Sequence, residues 1–279
     1  NGKGAAMKKK KIKNPLIRRI PKELIGDWKK YLVVFLFLVL TIGFVSGMYV
    51  ANESMITSAN EGVTKYKQED GHFELKKQAD ATLLSAIETG EKADFKATKT
   101  TLYENFFRNE EEDYNNDGKK DGTIRVFAKT KDINLACMLQ GSFPQKADEI
   151  AIDRMHADNV GIKVGDEITV GEEKYQVVGL IAYVNYSTLH EKSTDQMFDA
   201  LKFNVAMVTD EGFAKLHKTI HYDYAWKYEN EPEDDAQEKT QSDDFMRALL
   251  TQVVVADNEL EDYTPGYGNP AINFATDDM

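Results

Sequence analysis

Hydrophobic and polar positions follow three different patterns along this chain. From Tyr31 to Ala51 (YLVVFLFLVLTIGFVSGMYVA) there is no charged side chain in 21 residues. At about 1.5 Å rise per residue such a helix spans about 30 Å, the thickness of bilayer hydrocarbon. Before it, Leu16, Ile17, Ile20, Leu24, Ile25 and Trp28 recur at three- and four-residue spacing with basic residues between them. That spacing predicts an amphipathic helix at the membrane surface over Asn14 to Trp28, broken by Pro21 into two pieces and anchored by Trp28. After the apolar stretch the pattern changes to short alternating and three/four-spaced runs, the signature of a folded domain with mixed elements.

Within that third region, the polar run Asn52 to Lys67 has no breaker except Gly62 and reads as a helix continuing out of the membrane. A strand is expected near His72 to Leu75 and a helix over Lys76 to Thr89 with Leu83, Leu84 and Ile87 on one side. Strand patterns follow at Lys96 to Phe107, Thr123 to Phe127 and Glu149 to Ile152, with a short helix around Met155 to Val160. Glu167 to Val170 and Tyr175 to Ala182 form a hairpin pattern around Gly171. Phe203 to Val208 reads as a strand feeding a helix from Asp210, capped by Thr209, with Phe213, Leu216 and Ile220 at helical spacing. Ser242 is the expected cap of a last helix carrying Phe245, Met246, Leu249, Leu250 and Val253. Glu229 to Glu238 reads as an acidic linker, and Asp262 to Met279 as irregular chain. The fold class is therefore α+β, with one transmembrane helix ahead of a mixed α/β domain. The expected boundaries are 1–30 for a basic segment, 31–51 for the span, 52–67 for a stalk and 68–279 for the outer domain, with two subdomains one option.

Charge gives the span an orientation. Residues 1–30 hold eleven Lys/Arg against Glu23 and Asp27, a balance of +9, which leaves −21 for the remainder of a chain whose net charge is −12. By the positive-inside rule the N-terminus is expected in the cytoplasm and everything after about residue 52 outside it. A cleaved export signal ranks second, because the apolar run exceeds the usual h-region of about 7–15 residues and no A-x-A site follows. The first six residues, NGKGAA, precede Met7, which stands ahead of a lysine run as an initiator would, and they are set aside as upstream sequence. The 228 residues after Ala51 suffice for one large or two small domains. Their acidity argues against a nucleic-acid partner and for a solvated acidic surface. Cys137, the only cysteine, lies in an apolar context (LACML) and excludes an intramolecular disulfide.

Candidate chemistry is sparse. Asp113, Asn115, Asp117 and Asp121 stand at positions one, three, five and nine of a calcium-loop pattern, with Gly118 at the sharp turn and the Lys119 carbonyl as a further donor. Ile124 replaces the bidentate Glu at position twelve, so the pattern is nearer a short DxNxDG loop than an EF-hand. Two readings stand side by side: a structural calcium site, and a polar hairpin turn in which Asn and Asp-Gly serve the backbone. His217 and His221 are four apart, the spacing of two zinc ligands on a helix, but no third ligand accompanies them and the structural reading is preferred. No nucleophile elbow, reactive thiol setting or phosphate-binding loop appears, and the chain reads as a non-enzyme.

Three runs carry a resemblance: KADEIAID from Lys146, ADNVGIKVGDEITV from Ala157 and YQVVGL from Tyr175. In physical terms, Gly161 and Gly165 allow a tight passage from helix to strand, Asp166 stabilises the turn, and Gly179 permits a bulge or close backbone approach. Together with the order of amphipathic helix, span and outer domain, they resemble the FtsX/MacB-type ABC transporter permeases, especially those of Gram-positive bacteria. The resemblance implies an outer domain of the MacB-like periplasmic-core type and a membrane subunit driven by a separate cytoplasmic ABC ATPase. Membrane lipid and a second permease copy are further implied partners. It also implies export or extraction of peptides, antibiotics or lipid-linked molecules, or envelope signalling. The mechanical residues would be Leu16 to Trp28, Tyr31 to Ala51 and Asn52 to Lys67. Such permeases continue into at least three more spans, so the chain is expected to be a permease cut before its second one. The alternative is a single-pass surface protein that binds a ligand, calcium or the cell wall.

Overall fold

A computed structural model describes residues 26–90, 99–186, 188–192 and 197–266, with the backbone alone over 52–60. The expected surface helix Asn14 to Trp28 lies outside the described residues apart from its last three. The chain divides into two units, Asn1–Thr57 and Ser58–Met279. Helix α1, Trp28–Lys65, is one unbroken helix running from the apolar stretch into the second unit. Its end has a physical cause. Lys67 takes a left-handed conformation at φ 50°, and the N–H of Gln68 reaches back to the Val63 carbonyl at 3.0 Å, which satisfies a carbonyl left free by the last turn.

The second unit contains two sheets. Four strands, β1 (Gly71–Leu75), β2 (Thr100–Glu104), β10 (Tyr222–Tyr228) and β11 (Leu260–Pro265), pair antiparallel in the order β11-β1-β10-β2. One face of this sheet is dry and aromatic: Phe73, Tyr224 and Trp226 pack under helices α2 (Ala81–Thr89) and α5 (Asp235–Val255) through Leu83, Ile87, Phe245, Leu249 and Val253. Gly71 is required there, because a Cβ would run into the Trp226 ring and lie 2.8 Å from the Thr264 carbonyl oxygen.

The second sheet comprises β3 (Phe107–Asp113), β4 (Gly122–Ala128), β5 (Cys137–Gly141), β6 (Glu149–Asp153), β7 (Glu167–Val170), β8 (Glu173–Ala182) and β9 (Phe203–Val208). Its order is β5-β8-β6-β9-β4-β3-β7, and β7 also pairs with β8. That last pairing closes β8, β6, β9, β4, β3 and β7 into a ring, which removes their open edges. Alternate residues fill the ring: Ile124 and Val126, Ile150 and Ile152, Ile168 and Val170, Tyr175 and Val177, Ala206 and Val208. The opposite positions Phe127, Ala151, Ile181, Phe203, Val205 and Met207 form a separate outer core. Short helices α3 (Arg154–Val160) and α4 (Asp210–Ala214) follow β6 and β9, capped by Asp153 and Thr209.

Three expectations change. The helix from Asp210 stops at Ala214, because the amides of His217 and Lys218 turn to the buried Glu110 carboxylate at 3.1 and 2.8 Å. The last helix starts at Asp235, capped by Asp234, so the acidic stretch is split between a loop and a helix N-terminus that acids favour electrostatically. Ser242 sits within that helix and bonds the Tyr263 hydroxyl at 3.0 Å. Asp262 to Pro265, expected to be irregular, belong to β11. The acidic surface is also incomplete as a description: Glu69, Glu110, Glu112 and Asp223 are all buried.

Candidate functional site

The apolar part of α1, Trp28–Ala51, is 24 residues with no part of it buried by protein, about 36 Å at helical rise. It is long and apolar enough to cross a membrane, which fits a membrane protein with a domain outside the bilayer. The Thr41 hydroxyl donates to the Phe37 carbonyl at 2.8 Å, so it carries no unpaired donor into lipid. Gly43 and Gly47 lie one turn apart with open space around both.

Beyond Lys65 the chain is fastened by hydrogen bonds. The amides of Leu135 and Asn134 donate to the carbonyls of Tyr66 and Lys67 at 2.8 and 3.0 Å. Glu69 then turns inward. Its carboxylate accepts from Asn134 Nδ2 at 2.5 Å and from Asn185 Nδ2 at 3.5 Å, and lies 2.7 Å from His72 Nδ1. Asn134 Oδ1 accepts the Glu69 amide at 3.1 Å, completing the tie. One carboxylate thus joins the exit from α1, strand β1, the β4–β5 loop and the 3-10 turn Val184–Tyr186. A cavity of about 340 Å³ opens beside this tie, lined by Val63, Lys67, Tyr103, Asp132, Lys227 and Glu231 among others.

The first and last described strands of the second unit are neighbours. β1 and β11 are antiparallel neighbours with Gly71 opposite Pro265, and the Gly266 amide donates to the Asp70 carbonyl at 2.8 Å. Asp70 also accepts from Lys227 Nζ and from the Tyr228 amide. Burial outweighs these partners and pushes its carboxyl above the ordinary value.

Electrostatics concentrate on the polar face of the four-stranded sheet. Burial opposes a charge on His72, yet Glu69 and Asp223 together raise its imidazole to about 9. For Asp223, burial comes first, followed by the opposing pull of His72 and the repulsion of Glu69, and its carboxyl is pushed up to about 7. Burial would also raise Glu69, but His72 and its amide donors hold it below the ordinary value. Sequence reasoning missed this group because Glu69, Asp223, Asn134 and Asn185 are far apart in the chain. Only the apolar flanks of Asp223, in YDYAW, hint at burial.

The other sequence candidates fall elsewhere. Asp113, Asn115, Asp117, Lys119 and Asp121 lie at the β3–β4 turn, where Asp113 accepts the amides of Asp117 and Gly118 at 3.1 and 2.8 Å. Asp117 Oδ1 accepts the Lys119 amide at 2.9 Å and Asp121 Oδ2 the Tyr114 amide at 3.1 Å. Among the described residues, no three His, Cys, Asp or Glu side chains converge as metal ligands. His217 lies beyond the end of α4, and His221 is in a bridge to Phe107, stacked on its ring at 4.6 Å with Nδ1 2.6 Å from Glu74. Cys137 Sγ accepts from the Tyr66 hydroxyl at 2.8 Å. The resemblance-bearing glycines sit where they were expected to act: Gly161 and Gly165 have φ of 85° and 103°, and Asp166 Oδ2 accepts the Lys163 amide at 2.8 Å.

No known protein family and no curated protein matches this sequence. Solved structures similar to it include the extracellular domain of the noncanonic ABC-type transporter YknZ from Gram-positive bacteria, at 12% identity and TM-score 0.34, over 68% of this chain and 100% of that one. The periplasmic region of MacB from Actinobacillus actinomycetemcomitans is similar at 10% identity and TM-score 0.35, over 74% of this chain and 94% of that one.

Proposed function

We propose that this chain is the membrane subunit of an ABC transporter, a permease in which a separate cytoplasmic ATPase drives movement of the spanning helix and the outer unit responds. The observation that carries this reading is the continuity of α1 from a bilayer-length apolar stretch to Lys65, followed at once by backbone bonds from Tyr66 and Lys67 into the outer unit. The three runs from Lys146, Ala157 and Tyr175, two of them punctuated by glycine, resemble FtsX/MacB-type permeases and give the reading its family. With the basic N-terminal segment inside, the outer unit faces away from the cytoplasm. Peptides, antibiotics or lipid-linked molecules are the cargo class this reading implies, with lipid and a second permease copy as neighbours in the membrane.

The test begins with the gene and its neighbours. Further apolar spans encoded beyond codon 279 and an adjacent ATPase gene are expected, and the two products should co-purify in detergent with faster ATP hydrolysis than the ATPase alone. A stop codon directly after codon 279 with no ATPase gene beside it overturns the permease reading and leaves a single-pass surface protein. Orientation is tested separately with the single cysteine. A membrane-impermeant thiol reagent, applied with denaturant that leaves the bilayer sealed, should label Cys137 from outside intact cells. Labelling only in inside-out vesicles reverses the topology.

A further inference from the structure

Directly opposed residues of an antiparallel ladder project to the same side. Glu74 is opposite Asp223 on β10 and opposite Asp262 on β11, so three carboxylates stand in a row across three strands. Like charges so placed repel. His72 is two residues along β1 from Glu74, on the same face, and Asn105 donates its side-chain amide to Asp223 Oδ2 at 2.9 Å. Glu69 meets this face from the segment ahead of β1.

The groups around Asp223 divide unequally. Glu74 has its own imidazole, His221, at 2.6 Å, and Asp262 is exposed to water. Arg125, reaching in from β4, gives its donors to Asn109 Oδ1, the Tyr186 hydroxyl and the Glu191 carbonyl. Tyr186 is a neutral phenol. That leaves Glu69 and Asp223, 2% and 3% exposed, with His72 as the cation between them. Two buried carboxylates and one imidazolium carry one negative charge too many, and a buried excess charge is relieved by taking up a proton.

We propose that Asp223 holds a proton near neutral pH, and that this proton fastens the segment Tyr66 to Leu75 to the rest of the outer unit. With Asp223 neutral, His72 serves Glu69 alone, and Glu69 keeps its bonds to Asn134 and Asn185. With Asp223 ionised, the two carboxylates compete for His72 and the tie at Glu69 weakens. The raised value of about 7 for Asp223 agrees with this arrangement. Its folded-state value stands above the ordinary 3.8, so the folded state binds the extra proton between those values. The stabilisation is complete below the lower value and is lost as pH rises through the higher one. His72 adds a loss that runs from its ordinary 6.5 up to about 9, and Glu69, lowered, adds one only in acid. His156 in the closed sheet is raised as well, but it is untouched by a change at Asp223. The inference concerns the outer unit and does not depend on the permease reading.

The experiment uses the full chain in detergent. Hydrogen–deuterium exchange, corrected for the intrinsic pH dependence, should be close to tenfold faster over 66–75 and 132–135 at pH 6 than at pH 5, both inside the window between 3.8 and about 7, since each pH unit there is worth up to about a factor of ten. Asp223→Asn should exchange equally at both pH values. Wild-type protein should also show the infrared band of a protonated carboxyl that titrates near neutral pH, and Asp223→Asn should lack it. PH-independent exchange in the wild type, or a variant that keeps the dependence, overturns the proposal. If the variant does not fold, the wild-type infrared titration decides alone, and absence of a band titrating near neutral pH refutes the proton.

Discussion

Replacing His156 by Leu should unfold the closed sheet of the outer unit more easily than any surface change. His156 and Glu112 are both fully buried, with Nε2 3.3 Å from Oε2. Nδ1 of the imidazole faces the Ala200 carbonyl at 2.8 Å and donates to it. Asn204 Nδ2 donates to the other Glu112 oxygen at 2.7 Å, and the Tyr114 ring closes the site edge-on to the imidazole. Both ring nitrogens lie near oxygen acceptors, which favours the protonated imidazole, and Nε2 meets Glu112 by charge at 3.3 Å and not through a hydrogen bond. Burial opposes that charge, but Glu112, Ala200 and Asp153 raise the imidazole above its ordinary value. Leucine fills similar space but strands the carboxylate with Asn204 as its partner, and breaking a buried pair in this way costs about 3–5 kcal/mol. In a unit spanning Ser58–Met279 each kcal/mol lowers the melting temperature by about 2–4 °C, so the fall should be roughly 6–20 °C. The double variant His156→Leu/Glu112→Gln should recover most of it, because an amide leaves no charge behind. Thermal unfolding of the detergent-solubilised chain by near-UV circular dichroism reads both. The wild-type pair contributes fully below the ordinary imidazole value of 6.5 and less as pH rises through the raised one. A single variant within about 1 kcal/mol of wild type, or a double variant no better than the single, would refute the charge pair.

Two other changes test the fold directly. Gly179→Ala puts a methyl group against the Ser142 carbonyl and 3.2 Å from Met138 Sδ, so it should cost about 1–3 kcal/mol in thermal unfolding; Gly161→Ala meets only conformational strain at φ 85° and should cost about 1–2 kcal/mol. A smaller loss at Gly179 than at Gly161 would contradict the close approach. At the β3–β4 turn, Asp113→Ala removes two amide caps and should lower the melting point by a few degrees in EDTA as well as in calcium. A loss seen only with calcium present would assign the turn to calcium instead.

Local patterns made much of this fold legible. Phe203 to Val208 alternates little, yet it is bounded by turn residues and rich in β-formers, and it is β9 residue for residue. The hairpin β7–β8 and the caps Thr209 and Gly161 follow from turn and helix-end chemistry that acts over a few residues. β3 was hidden for the opposite reason. Its FRNEEED sequence looks solvated, but Glu110 is satisfied by amides 107 and 108 residues away and Glu112 by Asn204, 92 residues away. β10 and β11 were missed similarly: each pairs with β1, and no local period marks a strand whose partner lies more than a hundred residues off. The ring closure through β7 rests on two residue pairs with β3, a feature no single-strand pattern contains.

The buried acids also bear on how the outer unit could answer a moving helix. Its cores are apolar and closely packed: the aromatic group of Phe73, Tyr224, Trp226 and Phe245 has ring centres 4.7–6.3 Å apart, and such burial is worth about 1.5–3 kcal/mol per large side chain. The exit from α1 is held differently, by two backbone bonds at Tyr66 and Lys67 and by the polar tie at Glu69. Each neutral backbone bond contributes only about 0.5–1.5 kcal/mol net, because water replaces it when it breaks, whereas bonds to the Glu69 carboxylate are charge-assisted and worth about 1.5–3 kcal/mol. The weakest bonds of this exit are therefore the two neutral backbone bonds at Tyr66 and Lys67, ahead of the tie at Glu69. The same segment ends at the carboxylate whose partner His72 is contested by Asp223. Loss of the Asp223 proton would then loosen this connection next to its two weakest bonds.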